Sequence, residues 1–274
     1  MTCAWKELLG ILPPWIRTET DRIGKNTLQE LRLRINAPPE LILYGEVTLL
    51  KHPACQDDLQ FCINSASKYS PWAASTSEKG YITAAGGHRI GLCGRVVCSE
   101  GTRLHIQEIS SLCIRVARDF QGIAHKAAEI SGSILILGAP GWGKTTLLRD
   151  LCRIISEKAL LCVADERNEL FPTGISRGRR MDVLSGCPKA LGIEMLLRTM
   201  GPTYIAVDEI TAAEDCEAIL HAANCGVFLL ASAHAASYAD FLRRPLYQPL
   251  LQNKIFTTLL ILNRDKSYTV ERIV

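Results

Sequence analysis

The sequence predicts an α/β protein, with a mainly parallel sheet in its second half and a small mixed α+β domain in front of it. Three observations predict this. From Ser133 onward, apolar runs of strand length alternate with stretches of helical periodicity, as in a parallel sheet covered by helices. At the first strand-to-helix junction, Gly138-Ala139-Pro140-Gly141-Trp142-Gly143-Lys144-Thr145-Thr146 fits the pattern G-x-x-x-x-G-K-[ST] at every fixed position. Before about residue 118 the pattern differs: short alternating segments, broken by Gly and Pro, carry only a few helical stretches.

Composition sets the limits. The chain has 274 residues, enough for two domains, and 47% hydrophobic with 22% charged residues is the balance of a packed soluble protein. A net charge of +3 is too slight to point to nucleic acid or a membrane surface as partner. The 11 cysteines are scattered and odd in number, with no C-x-x-C pair, so neither a zinc site nor a disulfide framework is expected. Buried free thiols in a reducing compartment account for them. No basic stretch followed by an apolar core opens the chain, and Pro13-Pro14 interrupts it early, so no signal peptide is expected. No apolar run approaches the ~18–20 residues that span a bilayer. The expected location is the cytoplasm, with any membrane association made through a partner.

The elements follow in order. Residues 2–12 have helical spacing (Trp5, Leu8, Leu9, Leu12), ended by Pro13-Pro14. The alternation Leu31-Arg32-Leu33-Arg34-Ile35 predicts a strand with one wet, basic face, and segments 41–44 and 47–50 flank Gly45-Glu46 as a hairpin. Residues 57–69 read as a helix. Residues 80–98 read as two strands joined through Gly86-Gly87, a turn at 99–102 leads into 103–106, and 111–118 is a further strand. This first domain spans 1–118. Residues 119–132 form a short helical connector and the natural hinge. The second domain, 133–274, has strands at 133–137, 159–164, 203–207, 227–231 and 255–262, and an edge strand at 267–273. Its helices are 144–157, 190–200, 212–223 and one or two short ones between 238 and 253.

Strand, glycine-rich turn, helix is the arrangement that aims backbone N–H groups and a helix N-terminus at phosphate. The backbone of Gly138, Ala139, Pro140, Gly141, Trp142 and Gly143 wraps the anion, with Thr146 closing the motif. Lys144 is expected on the β- and γ-phosphates and the Thr145 hydroxyl on Mg²⁺. Ligands of such sheets bind at the carboxyl ends of the strands, so the polar residues there are the further candidates. Tyr204-Ile205-Ala206-Val207 ends in Asp208-Glu209: Asp208 is expected to hold Mg²⁺ through water, and Glu209 to orient and deprotonate the attacking water. Helix-capping acids after a solvated turn are the alternative. Leu160-Leu161-Cys162-Val163-Ala164 ends in Asp165-Glu166-Arg167-Asn168-Glu169 in the same form. Which of Asp165, Glu166 and Glu169 faces the nucleotide stays open; the working assignment gives Asp165 to Mg²⁺ and Glu166 to the chemistry. A third buried strand ends at His234, where the ring is placed to sense the γ-phosphate, with Ser232 beside it. Arg198, on the helix before the strand to Asp208, is grouped with the nucleotide-binding residues. Phosphoryl transfer gains from an arginine supplied in trans. Arg89, Arg95, Arg115, Arg118, Arg177, Arg179 and Arg180 are the other candidates, and the run from Arg177 to Arg180 equally suits a nucleic-acid backbone.

Together these motifs resemble the type II and type IV secretion ATPases, whose four boxes match Gly138–Thr146, Asp165–Glu169, Asp208-Glu209 and Ala233-His234 in order and spacing. Stretches 86–95, 177–189 and 206–210 resemble the sporulation branch of that superfamily, the stage III sporulation protein AA family, over nearly the whole chain. The resemblance implies a RecA-like P-loop ATPase core behind an N-terminal domain, with ATP and Mg²⁺ as ligands. It implies a self-assembled ring, a hexamer in the secretion motors, in the mother-cell cytoplasm, acting on membrane proteins of a channel to the forespore. It implies Glu209 as the hydrolytic acid and an N-domain arginine completing a neighbour's site. Thr211 stands where many secretion ATPases carry an arginine, which leaves that arginine open, and the tetracysteine motif of some type II motors is absent, so no zinc is expected. Two other functions remain compatible with the residues: a nucleic-acid-stimulated NTPase, although 6% aromatic content gives few stacking platforms and no stable nucleic-acid partner is expected, and a scaffold that binds ATP with little turnover.

Overall fold

The structure is a computed structural model that describes residues 3–44, 46–67, 80–98, 104–127, 129–172 and 174–273. The chain divides into two compact units: Met1–Asp119 with Pro172–Ile175, and Phe120–Phe171 with Ser176–Val274. Among the described residues no helix is long and apolar enough to cross a membrane.

The first unit is a six-stranded antiparallel sheet with helices α1 (Trp5–Gly10), α2 (Pro14–Ile23) and α3 (Gln56–Ser67). Its strands are β1 (Glu30–Arg34), β2 (Glu40–Ile42), β3 (Val47–Leu49), β4 (Tyr81–Thr83), β5 (Arg89–Cys98) and β6 (Leu104–Arg115), in the order β3-β2-β1-β6-β5-β4. The alternation read in β1 is real: Leu31 and Leu33 are fully buried, while Arg32 and Arg34 pair with Glu30 and Glu40. Leu8, Leu12, Ile16, Leu28, Leu41, Leu59, Ile90 and Ile114 complete the core of this unit.

Two features differ from the sequence reading. Pro13-Pro14 does not only stop a helix. It starts the next one, because Pro14 at the first helical position gives up an N–H that has no partner there. Residues 104–115 form one strand, not two. The polar stretch around Glu108 is carried by register shifts against β5 at Cys93/Gly94 and Arg95/Val96. The turn at 99–102 and Gly45 lie outside the described residues.

The second unit is a seven-stranded sheet in the order β13-β12-β7-β11-β10-β8-β9. The strands are β7 (Ile134–Leu137), β8 (Leu161–Asp165), β9 (Met181–Ser185), β10 (Tyr204–Val207), β11 (Phe228–Ala233), β12 (Thr258–Leu262) and β13 (Tyr268–Arg272). All neighbours run parallel except the hairpin of β12 and β13. Strands β7, β8 and β10 are buried along their whole length, as parallel strands covered on both faces must be. The helices are α4 (Lys144–Ser156), α5 (Lys189–Met200), α6 (Ala213–Asn224), α7 (Tyr238–Arg243) and α8 (Gln248–Gln252).

Strand β9 escapes the sequence reading because it is a five-residue edge strand, mostly half-exposed, directly after the arginine-rich stretch. The connector also differs. Residues 122–127 form turns, not a helix, and group with the second unit. The cause is Asp150 of α4, whose buried carboxylate accepts the N–H of Gly122 at 3.0 Å and of Ala124 at 2.8 Å.

The close approach of β5 and β6 at the register shift leaves no room for a side chain. A Cβ on Gly94 would lie 1.9 Å from the Glu108 carbonyl oxygen, whereas one on Gly91 would meet only Cys113 at 3.7 Å. Gly94→Ala is therefore expected to destabilise the first unit by about 1–3 kcal/mol, as overpacking does, and Gly91→Ala by less than about 1 kcal/mol, compared by urea denaturation.

Candidate functional site

The glycine-rich loop leaves the carboxyl end of β7 and enters α4. Gly141 (φ 77°) and Gly143 (φ 104°) adopt the left-handed backbone that only glycine takes without strain. No side chain caps the first turn of α4, so its amides point out unpartnered by any protein cap. Lys144 is only 6% exposed. Its Nζ donates to the carbonyls of Gly138 at 3.0 Å and Ala139 at 3.3 Å, and to Nδ1 of His234 at 2.9 Å. Burial pulls the Lys144 pKa below its ordinary value, against the opposing charges of Glu209 and Asp208. With Nδ1 of His234 turned to the ammonium, Nε2 of the ring faces Oε1 of Glu209.

The strand order makes this convergence possible. β11 lies between β7 and β10, so the ends of three parallel strands meet at the start of α4. Asp208 accepts from three groups: the Thr145 hydroxyl at 3.3 Å, the Ser232 hydroxyl at 3.2 Å and the Glu209 N–H at 2.9 Å. Lys144, Thr145, Asp208, Glu209, Ser232 and His234 are thus one connected polar network.

The acidic loop after β8 divides its residues differently. Asp165 is 1% exposed and accepts the N–H groups of Glu169, Leu170 and Phe171 at 2.8, 3.0 and 2.9 Å, so it shapes the loop. Burial raises its pKa despite these bonds. Glu166 bonds Nζ of Lys189 at 2.9 Å. Burial alone would raise the Glu166 pKa, but the Lys189 bond and charge, with Arg167 behind them, hold it below the usual carboxylate range. Glu166, Arg167, Glu169, Lys189, Asp208 and Glu209 line one small depression. Among the described residues no group of three or more His, Cys, Asp or Glu side chains is arranged to hold a metal ion.

Arg198 is not brought to this place: its side chain is 79% exposed and pairs with Glu194 on its own helix at 3.5 Å. Sequence reasoning missed Arg149, Asp150 and Arg153. All three are buried on α4, and each holds a loop: Arg149 the carbonyls of Glu169 and Leu170, Asp150 the connector, Arg153 the carbonyl of Ser176. The signal was present, since three charges fall on the turns of a helix whose other positions are largely apolar. Beside the glycine loop lies a cavity of about 520 Å³, walled by Phe120, Ile123, His125, Trp142, Thr146 and Tyr268 among others. The Tyr268 hydroxyl donates to the Ile123 carbonyl and ties β13 to the connector.

The same architecture occurs in solved structures. The pilus retraction motor PilT with bound ADP superposes with a TM-score of 0.64 at 19% identity, over 90% of this chain and 76% of that one. The Legionella pneumophila ATPase DotB does so with a TM-score of 0.59 at 19% identity and the same coverage. These likenesses show the fold. In sequence, the chain is 37% identical over 280 residues to stage III sporulation protein AA of Bacillus subtilis strain 168, covering 95% of this chain and 91% of that protein. The family model described as "Sporulation stage III, protein AA" matches residues 6–273. With all but the ends of the chain accounted for by that model, the chain belongs to the Sporulation stage III, protein AA family.

Proposed function

We propose that the second unit is a RecA-like P-loop ATPase and that the protein is a motor. The observation that carries this is the single network of Lys144, Thr145, Asp208, Glu209, Ser232 and His234 at the ends of three parallel strands. The site's residues fit a magnesium–nucleoside triphosphate. The uncapped amides of α4 and the left-handed glycines form a concave set of donors for an anion, and the buried Lys144 ammonium lies behind them. The cavity beside Trp142, lined in part by aromatic side chains, has the size for the base.

In this reading Lys144 exchanges His234 for the β- and γ-phosphate oxygens. Thr145 and Asp208, already bonded to each other, would hold Mg²⁺ through their hydroxyl and carboxylate. Mg²⁺ supplies charge compensation for the phosphates when bound. Glu209 orients a water and accepts its proton. His234, released by Lys144, keeps Nε2 on Glu209 and so links phosphate occupancy to the base. Asp165 serves by shaping its loop, and Glu166 by pairing with Lys189, so Glu209 is the one general base. Arg198 stays outside the site of its own chain.

Family membership and the fold shared with PilT and DotB support the larger reading: ATP as fuel, a ring of identical subunits, most simply a hexamer, and an arginine of the first unit acting on the neighbouring site. They also support action in the mother-cell cytoplasm on membrane proteins of a channel to the forespore. The chain crosses between the units at Asp119-Phe120, Phe171-Pro172 and Ile175-Ser176, and of the connector only its start is left to bend, since residues 122–124 are held by Asp150.

Three outcomes test the site. Glu209→Gln should bind Mg-ATP normally and lose about a hundredfold or more in kcat, the range for a missing general base, in a phosphate-release assay. Lys144→Ala should lose nucleotide binding itself, read from Trp142 fluorescence; normal turnover in either variant sinks the mechanism. Tyr268→Ala should raise KM about fivefold or more with kcat unchanged, since stacking on a base is worth roughly 1–3 kcal/mol; an unchanged KM would place the base elsewhere.

A further inference from the structure

A second lysine breaks the same rule as Lys144. Lys189 is the first residue of α5 and only 5% exposed. A cation at a helix N-terminus opposes the helix dipole, and a buried one is tolerated only when paired. Its partners come from two different elements. Nζ lies 2.9 Å from Oε2 of Glu166, in the acidic loop after β8, and 3.5 Å from Oδ2 of Asp215, in the first turn of α6. The same Asp215 oxygen accepts the Thr211 N–H at 2.9 Å, the Ala212 N–H at 3.1 Å and the Thr211 hydroxyl at 3.3 Å. Residues 211 and 212 follow Asp208-Glu209 with only Ile210 between. A continuous line therefore runs from Glu166 through Lys189 and Asp215 to the backbone that carries Glu209.

We propose that Lys189 is a positioning residue that clamps the acidic loop after β8 to the loop after β10 and so fixes where Asp208 and Glu209 point. This rests on the hydrolytic reading above. The clamp has a second effect. Glu166, Glu169, Asp208 and Glu209 line one depression, and the Lys189 ammonium lines it too, bringing a positive charge among theirs. Glu166 acts through this pair, not as a base. α5 is seated to deliver Lys189 there: a Cβ on Gly192 would come within 3.2 Å of Ala164 Cβ and of Cys187 Sγ, so the helix sits tight against β8.

The test compares Lys189→Met, Lys189→Arg, Glu166→Gln and the Met/Gln double variant in full-length protein. Hydrolysis of Mg-ATP gives kcat and KM, and Trp142 fluorescence gives Mg-ADP binding. Lys189→Met should lower kcat about tenfold to a hundredfold, as misplaced catalytic groups do, with KM and ADP binding within about threefold. Lys189→Arg should recover most of kcat. Glu166→Gln should lower kcat as well, and the double variant should be no worse than Lys189→Met, because the two residues act as one unit. A Lys189→Met protein with wild-type kcat, or a double variant whose loss is the product of the two singles, overturns the clamp. If Lys189→Met loses ADP binding, the half-exposed Glu166 decides: a normal kcat in Glu166→Gln also overturns it. Wild-type protein without turnover overturns the hydrolytic reading instead.

Discussion

Two buried ammonium groups at helix N-termini are the constraint on which the second unit depends. Lys144 opens α4 and Lys189 opens α5, and each is nearly closed off from water. Both stand where the helix dipole disfavours a cation, and taking an ammonium out of water costs several kcal/mol unless acceptors replace the solvent. The acceptors differ, and the difference is informative. Lys189 has two carboxylates, a permanent arrangement. Lys144 has two backbone carbonyls and an imidazole nitrogen, which satisfy its hydrogens and bring no carboxylate into the bond. Its bonds go to neutral acceptors while the Glu209 and Asp208 charges act on it from beyond them, and at the mouth of uncapped amides such a cation suits an anion.

The sheet supplies the geometry that makes both lysines tolerable. Parallel strands end on one side, so each of β8, β10 and β11 delivers its polar terminus to the same edge. Carboxylates brought this close repel, and each is therefore given a partner of its own. Asp165 has loop amides, Glu166 has Lys189, Asp208 has two hydroxyls and an amide, and Glu209 has His234. The partners also rank the acids by availability. Asp165 is bonded by three loop amides and Glu166 by Lys189, while among the described residues Glu209 meets a ring whose other nitrogen is bound to Lys144. An event at Lys144 is felt at Glu209 through one side chain.

Much of this was legible in the sequence because it is local. The glycine spacing around Lys144, the apolar runs that become β7, β8, β10 and β11, and the polar residues just past them are all short-range patterns. What could not be read depends on partners distant in the chain. Whether Asp165 faces a metal or a loop is decided by where residues 169–171 fold back, and Glu166 is claimed by a lysine 23 positions later. Strand β9 exists because β8 offers it an edge, not because its own residues insist on a strand. The connector became turns because Asp150, on a helix beyond it, captures its amides. In each case a tertiary hydrogen bond overrode or chose among local preferences.

The arginines sort by the same logic of prior commitment. A guanidinium that acts on another subunit's phosphate must first release what it holds. Arg149 and Arg153 bond backbone carbonyls from buried positions on α4, and removing them would strand those carbonyls in a medium where an unmet acceptor costs about 1–3 kcal/mol. Arg118 is similarly engaged, with the carbonyls of Lys25, Asn26 and Leu28, and Arg89 stacks on Tyr81 at 3.9 Å. Arg95 and Arg198 are different. Each is largely exposed and among the described residues pairs with an exposed glutamate, at 3.8 and 3.5 Å, and such surface pairs are worth about 0–1 kcal/mol. Arg177 and Arg179 are exposed as well. Donation in trans is cheapest from this second group. Since Arg95 is the member that belongs to the first unit, an arginine acting from that unit on a neighbour's site has its least costly candidate at the far stretch of β5, six residues from the strand's start at Arg89 and one past the glycine that lets β6 approach.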